Sequence, residues 1–246
     1  MFSQEKKEGL EVVKNLYAFG EGQMLDCNIY VIVDHDSKEV AIFDVGNGMT
    51  LKGLFEGMKS FGLDYTNITK VFLTHEHVDH VLGLYPLMKN LKDNPPEIFA
   101  YGETANILKK GDEAQIFPGN LGISPRMFGV EIIPQKITDI LPLNEIKIFS
   151  DFNFQLIYTP GHSLGSVSYY ESSKKILIPG DVVFCNGSFG RYDFPGGSLK
   201  ELQNSIKFLS ELDVNYLLPG HMGITDKGNQ HIESSYRIIQ TIRDFY

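Results

Sequence analysis

The stretch Thr74-His75-Glu76-His77-Val78-Asp79-His80 constrains this chain more than any other. A β-forming apolar run, Val71-Phe72-Leu73, leads into it, and Val81-Leu82-Gly83 follows as the opening of a helix. In extended or turn backbone, alternate side chains point the same way. His75 and His77 therefore aim at one point while Asp79 and His80 aim at a neighbouring one. Imidazoles and a carboxylate gathered so closely are borderline-hard donors suited to zinc, iron or manganese. A polar turn accounts for one lone histidine; a cluster at a strand end reads as a metal site.

The rest of the composition bounds the surroundings of that site. At 246 residues with 42% hydrophobic side chains, the chain is long enough for a sizeable core in one domain holding two layers of sheet. A net charge of −9 argues against a nucleic-acid footprint, which needs clustered Lys and Arg to displace phosphate counterions. The two cysteines, Cys27 and Cys185, make no disulfide framework. No apolar run reaches the length of a membrane span, and the start Met1-Phe2-Ser3-Gln4 has no signal-peptide character. A soluble, cytoplasmic protein without membrane partners is expected.

In chain order, strands are expected over 10–19, 27–33 and 40–43, the last ending in Asp44-Val45-Gly46. Asp44 is either an acceptor standing behind a metal ligand or a plain turn carboxylate. A helix over 49–61 puts Leu51, Leu54, Phe55, Met58 and Phe61 on one face. After the metal stretch come a helix to about residue 91, a strand over 98–101 and a helix from Thr104. From 111 to about 143 the pattern loses its period while keeping Phe117, Leu121, Ile123, Met127 and Phe128. Long loops of this kind are usually functional, so the stretch reads as an insertion serving as a lid or an oligomer contact across a homodimer. Strands resume over 147–149, 154–158, 166–170 and 175–178, then an amphipathic helix over 199–212, a strand at 216–218 and a last helix from 229. This order suggests two αβ halves packed sheet to sheet with helices outside.

Five of the seven histidines, His75, His77, His80, His162 and His221, sit at strand-to-loop joints, as do Asp79 and Asp181. Such joints are where a rigid scaffold presents functional side chains. His35 and His231 read as ordinary surface residues.

Together, Thr74 to His80, Gly161-His162, Gly180-Asp181 and Gly220-His221 resemble the metallo-β-lactamase superfamily, and Asp44-Val45-Gly46 is similar to its first motif. The resemblance implies an α/β fold, a four-layer αββα sandwich, within a single domain spanning 1–246. It also implies two divalent metal ions, zinc foremost, with iron or manganese as alternatives. His75, His77 and His162 would hold one; Asp79, His80 and His221 would hold the other, with Asp181 bridging. Two such ions sharing a water lower its pKa and clamp attacking and leaving oxygens, so no serine or cysteine nucleophile is required. Asp79 and Asp181 are the carboxylates expected to matter most for catalysis.

Within that superfamily, Gly180-Asp181-Val182-Val183-Phe184 and the run from Gly187 to Ser198 resemble the glyoxalase II-like group. This implies a hydrolase acting on a small thioester or ester. A mononuclear iron persulfide dioxygenase is the alternative, with a lactonase or a non-catalytic metal-binding module further behind. Arg191 and Tyr192 fall on the substrate side. Arg191 pairs either with a substrate carboxylate or with Asp193, the latter being preferred. Phe117, Met127 and Phe128 are expected to wall the substrate's acyl chain. Only 25 residues follow His221, so a glutathione-binding helical domain is not expected there. Phe184 stands where lactonases carry a tyrosine.

Overall fold

The computed structural model describes residues 6–22, 25–118, 122–140 and 145–243. Strands β1 (Gly9–Val13), β2 (Leu16–Phe19), β3 (Ile29–Val33) and β4 (Val40–Phe43) form an antiparallel meander. The expected strand over 10–19 is two strands, because Asn15 adopts a left-handed backbone (φ 70°) that folds the chain back on itself. Helix α1 (Leu51–Lys59) then leads to β5 (Ile68–Phe72), which lies parallel to β4. After β5 come the short helices α2 (Val78–Val81) and α3 (Leu84–Asn90), then β6 (Glu97–Tyr101) and α4 (Gly102–Lys110).

The stretch 111–143, where the sequence pattern loses its period, carries regular structure. It contains α5 (Glu113–Ile116), a 3-10 turn Pro125–Phe128, and β7 (Ile137–Ile140), which extends the first sheet parallel to β6. Its period fails in the sequence because each piece is only four residues long. Residues 119–121 and 141–144, Leu121 among them, lie outside the described residues.

The second sheet holds β8 (Glu145–Ile148), β9 (Phe152–Tyr158), β10 (Val167–Glu171) and β11 (Ile176–Ile178) as antiparallel neighbours. Helix α6 (Leu199–Ser210) precedes β12 (Tyr216–Leu217), which pairs parallel to β11, and α7 (Gly228–Ile239) follows. Among the described residues the strand orders are β1-β2-β3-β4-β5-β6-β7 and β12-β11-β10-β9-β8.

Alternation along the strands sorts three cores. Tyr30, Ile32, Phe43 and Phe72 of the first sheet meet Phe154, Leu156, Tyr169 and Ile178 of the second, so the sheets face each other. Ile29, Val31, Val33 and Ile42 point the other way and bury Leu54, Met58, Leu87 and Leu108 of the helices. On the far side, Ile157, Leu177 and Leu217 receive Leu202, Ile206 and Leu209 of α6 with Ile232 and Ile239 of α7. The layering is helix, sheet, sheet, helix: an αββα sandwich. Burying each such side chain stabilises the fold by roughly 1.5–3 kcal/mol. Phe117 and Phe128 belong to the helix-side core of the first sheet, their rings 6.2 Å apart, while Met127 is exposed. No described helix is long and apolar enough to cross a membrane.

Candidate metal centre

Strand β5 ends at Phe72, and the next residues cross the edge where the two sheets meet. The Thr74 carbonyl accepts from Val167 N–H of β10 at 2.9 Å, which ties the histidine stretch to the second sheet. Thr74 N–H and its hydroxyl both donate to Asp44, at 2.8 Å each. Asp44 itself sits at φ 55°, a left-handed turn that directs the chain away from β4. His77 is extended (φ −68°, ψ 150°) and caps α2, so His75 and His77 precede the helix while Asp79 and His80 lie in it.

The expected alternation appears as two donor groups. Nitrogen atoms of His75, His77 and His162 lie within 4.8 Å of one another, as do donor atoms of Asp79, His80, Asp181 and His221. Asp181 stands between them. Its Oδ2 is 3.6 Å from His162 Nε2 and 3.2 Å from His221 Nε2, and its Oδ1 is 3.2 Å from His80 Nε2. Two glycines make room for this convergence. A Cβ on Gly220 would fall 2.2 Å from Asp181 Oδ1, and one on Gly190 would fall 1.9 Å from the Asp181 carbonyl oxygen.

Partners outside the cluster fix which nitrogen of each ring faces inward. His162 Nδ1 donates to the Arg191 carbonyl at 2.7 Å, leaving Nε2 as a lone pair. His80 Nδ1 donates to Asp44 Oδ2 at 2.8 Å, which answers the question about Asp44: it stands behind a cluster histidine. His221 Nδ1 donates to Glu21 Oε2, also at 2.8 Å. Glu21 is invisible to motif reading, because nothing in the sequence links it to a residue so far down the chain. Glu76, between two of the histidines, accepts from the Thr104 hydroxyl at 2.8 Å and so anchors the stretch to the start of α4.

The residues fit a metal. His77 Nδ1 faces the His162 Nε2 lone pair at 2.8 Å. Among the described residues, His75 Nε2 and Asp181 Oδ1 are buried without a hydrogen-bond partner. Orphaned lone pairs pointing at one spot are costly in a dry interior and are satisfied by a cation. Burial, with help from neighbouring imidazoles, holds His75 well below its ordinary value and His77 down to about 3, so both are neutral donors. The other group is opposite in character. Burial opposes charge on His221, but Asp181, Asp79 and Glu21 outweigh it and push the group up to about 12. Burial also opposes charge on His80, but Asp181, Asp44 and Asp79 outweigh it and hold the group well above its ordinary value. Burial likewise opposes charge on Asp181, yet His221 and His80 hold it well below the usual carboxylate range.

Around the cluster, Arg191 forks onto Asp193 at 2.9 and 2.7 Å and lies 4.1 Å over the Phe194 ring. Phe194 in turn meets His77 edge-on at 5.6 Å. Tyr192 is half-buried against the core beneath α6 and α7. Phe184 meets His221 edge-on at 5.7 Å. The Cys185 thiol donates to the Gly223 carbonyl at 3.0 Å, and His231 accepts from Asn186 N–H at 2.8 Å, so neither is a loose surface group.

The profile of the metallo-beta-lactamase superfamily matches residues 22–221. The chain belongs to that superfamily. It is 34% identical over 206 residues, 81% of this chain and 89% of the relative, to a protein of Methanocaldococcus jannaschii named "Probable metallo-hydrolase". It is 30% identical over 199 residues, 79% of this chain and 85% of the relative, to the "Hydroxyacylglutathione hydrolase GloC" of Haemophilus influenzae. Among solved structures, the BLEG-1 B3 metallo-beta-lactamase superposes with a TM-score of 0.68 at 28% identity, covering 87% of this chain and 95% of that one. A protein crystallised in a di-iron-bound form superposes at 0.64 with 26% identity, covering 85% and 94%. Membership of this superfamily, its metallo-hydrolase relatives and the His/Asp cluster make the chain a metal-dependent hydrolase.

Proposed function

We propose that this hydrolase uses two divalent cations to cleave the acyl bond of a small thioester. The observation that carries the reading is the pair of donor groups meeting at Asp181. His75, His77 and His162 would hold one cation, and Asp79, His80 and His221 the other, with Asp181 shared. Bound there, such cations supply Lewis acidity and a nucleophilic water near neutral pH. The chain's own contribution is orientation. Thr74, Asp44, Glu21 and the Arg191 carbonyl hold the rings so that their inward nitrogens converge before anything binds.

Leaving-group chemistry separates thioesters from tighter acyl bonds. A thiol, with a pKa of about 8.5, departs as thiolate without being protonated. An amine leaving group needs a general acid. Phe184 carries no hydroxyl beside His221, and Asp79 and Asp181 are held below the usual carboxylate range. Once the imidazoles serve as ligands, the described side chains around them, Phe184, Phe194 and the Asp193-paired Arg191, supply no acid poised to donate a proton. The relative named for hydroxyacylglutathione hydrolysis makes acyl-glutathione thioesters the first substrates to try. A mononuclear iron dioxygenase would leave the four-donor group without a task, so the two-cation reading is preferred.

The test compares a thioester, an oxyester and an amide sharing one acyl group, using protein of measured metal content. Two ions per chain and turnover falling in that order support the reading. One ion per chain, or oxygen uptake with a glutathione persulfide in place of thioester cleavage, overturns it.

A further inference from the structure

We infer that Glu21 is a positioning residue of the second donor group, gripping His221 from a loop that no motif marks. The inference rests on the two-cation reading above and extends it to a residue outside the ligand set. Glu21 follows β2, 200 positions before His221. Its Oε2 accepts from His221 Nδ1 at 2.8 Å and its Oε1 accepts from Met222 N–H at 3.0 Å. One carboxylate thus spans the ligand and its successor. With Nδ1 donating to Glu21, Nε2 is the nitrogen turned to the donor group, 3.2 Å from Asp79 Oδ2 and from Asp181 Oδ2.

The loop is built to hold that carboxylate still. Asn28 Oδ1 accepts from Glu21 N–H at 2.9 Å, while Asn28 Nδ2 donates to the carbonyls of Pro219 and Met222, both at 2.9 Å. Asn28 N–H donates to the Gly220 carbonyl at 2.7 Å. Glu21 and Asn28 therefore hold the Pro219–Met222 turn from two ends of one loop. Asp26 ties Gly22 and Lys7 together beside them, accepting from Gly22 N–H and from the buried Lys7 ammonium, each at 2.6 Å.

His221 needs this more than the other rings do. Its side chain is 21% exposed, against 0% for His80 and 5% for His162, so packing alone leaves it freer to turn. Outer partners of ligating histidines are typically worth about 10–100-fold in metal affinity. Because the contact reaches His221 and none of His75, His77 or His162, its loss falls on one binding step.

The experiment is a Zn2+ titration in competition with a chromophoric chelator. It uses the wild type, Glu21→Ala, Glu21→Gln, His221→Ala and the Glu21→Ala/His221→Ala double variant. Two steps are expected in the wild type. In Glu21→Ala, the step that His221→Ala removes weakens about 10–100-fold while the other holds. Glu21→Gln, which keeps an acceptor oxygen, loses less. Glu21→Ala adds nothing in the His221→Ala background. Two wild-type steps with Glu21→Ala unchanged overturn the inference alone, as does equal weakening of both steps with a lowered melting temperature, the mark of a loop anchor. A single wild-type step overturns the two-cation reading and this inference with it.

Discussion

His80 Nδ1 donates to Asp44 Oδ2 across 2.8 Å, and the same carboxylate receives both the N–H and the hydroxyl of Thr74. One side chain at the end of β4 thus sets the ring of one histidine and the backbone that launches two others. Asp44→Asn puts an amide NH2 where donors already converge. Each buried donor left unpaired costs about 1–3 kcal/mol. We expect a lowered melting temperature and metal affinity down about 10–100-fold, read by calorimetry and chelator competition. Asp44→Asn with wild-type affinity would show that His80 is held by packing alone.

Gly220 lies so close to the cluster that even one methyl group is excluded. Its Cβ would stand 2.2 Å from Asp181 Oδ1 and 2.7 Å from His80 Cε1. Gly220→Ala therefore moves Asp181 or the turn, and a shift of about 1 Å at a reacting centre costs about 100-fold in rate. Gly223→Ala is the control, since its Cβ meets nothing within 4 Å. Steady-state thioester kinetics on the two variants should separate them; equal activities would mean the turn gives way freely.

The inward-facing donors were legible because strand and turn geometry act over a few residues. His75 and His77 alternate, Asp79 and His80 follow on α2, and the joints carrying His162, Asp181 and His221 each end a short apolar run. The partners behind them were legible only where a motif touched them, as at Asp44. Glu21 meets His221, and the Arg191 carbonyl meets His162, through tertiary closure that no local pattern encodes. The stretch 111–143 misled for the opposite reason. Its pieces are too short to show a period, yet Ile137–Ile140 still pairs with β6, and Phe117 fills the helix-side core where an acyl wall was expected.

Arg191 separates a main-chain role from a side-chain one. Its carbonyl orients His162, whereas its guanidinium is more than half exposed and engaged with Asp193 and Phe194. Arg191→Ala keeps the carbonyl, and an exposed ion pair is worth only about 0.2–1 kcal/mol. The variant should bind metal as the wild type does and unfold within about 1 kcal/mol of it. An effect on turnover should appear in KM. A fall in metal content would show that the side chain, through Phe194 and His77, also braces the cluster.

The two donor groups also differ in how they hold protons, which gives the metal-free protein a definite pH profile. Folded His221 is pushed up to about 12 and His80 is raised well above its ordinary value, so over the range above about 6.5 the folded state binds more protons than the unfolded one. Their stabilisation is fully present below about 6.5 and drains away as pH rises. His77, held at about 3, and His75, also lowered, act with the opposite sign: below about 6.5 the unfolded state binds more protons and stability falls with pH. These four histidines therefore place the metal-free maximum near pH 6.5. Ligation requires neutral imidazoles, so filling the second group at pH 7.5 must displace about two protons, from His80 and His221, while His75 and His77 release none. Titration calorimetry with Zn2+ in buffers of different ionisation enthalpy counts them. We expect about two protons per chain beyond the one released by cation-bound water, falling by about one in His221→Ala, and a melting temperature that declines from pH 6.5 to 9 without metal but much less with it. Zinc uptake without proton release would show that the Asp79, His80, Asp181 and His221 group does not take the cation.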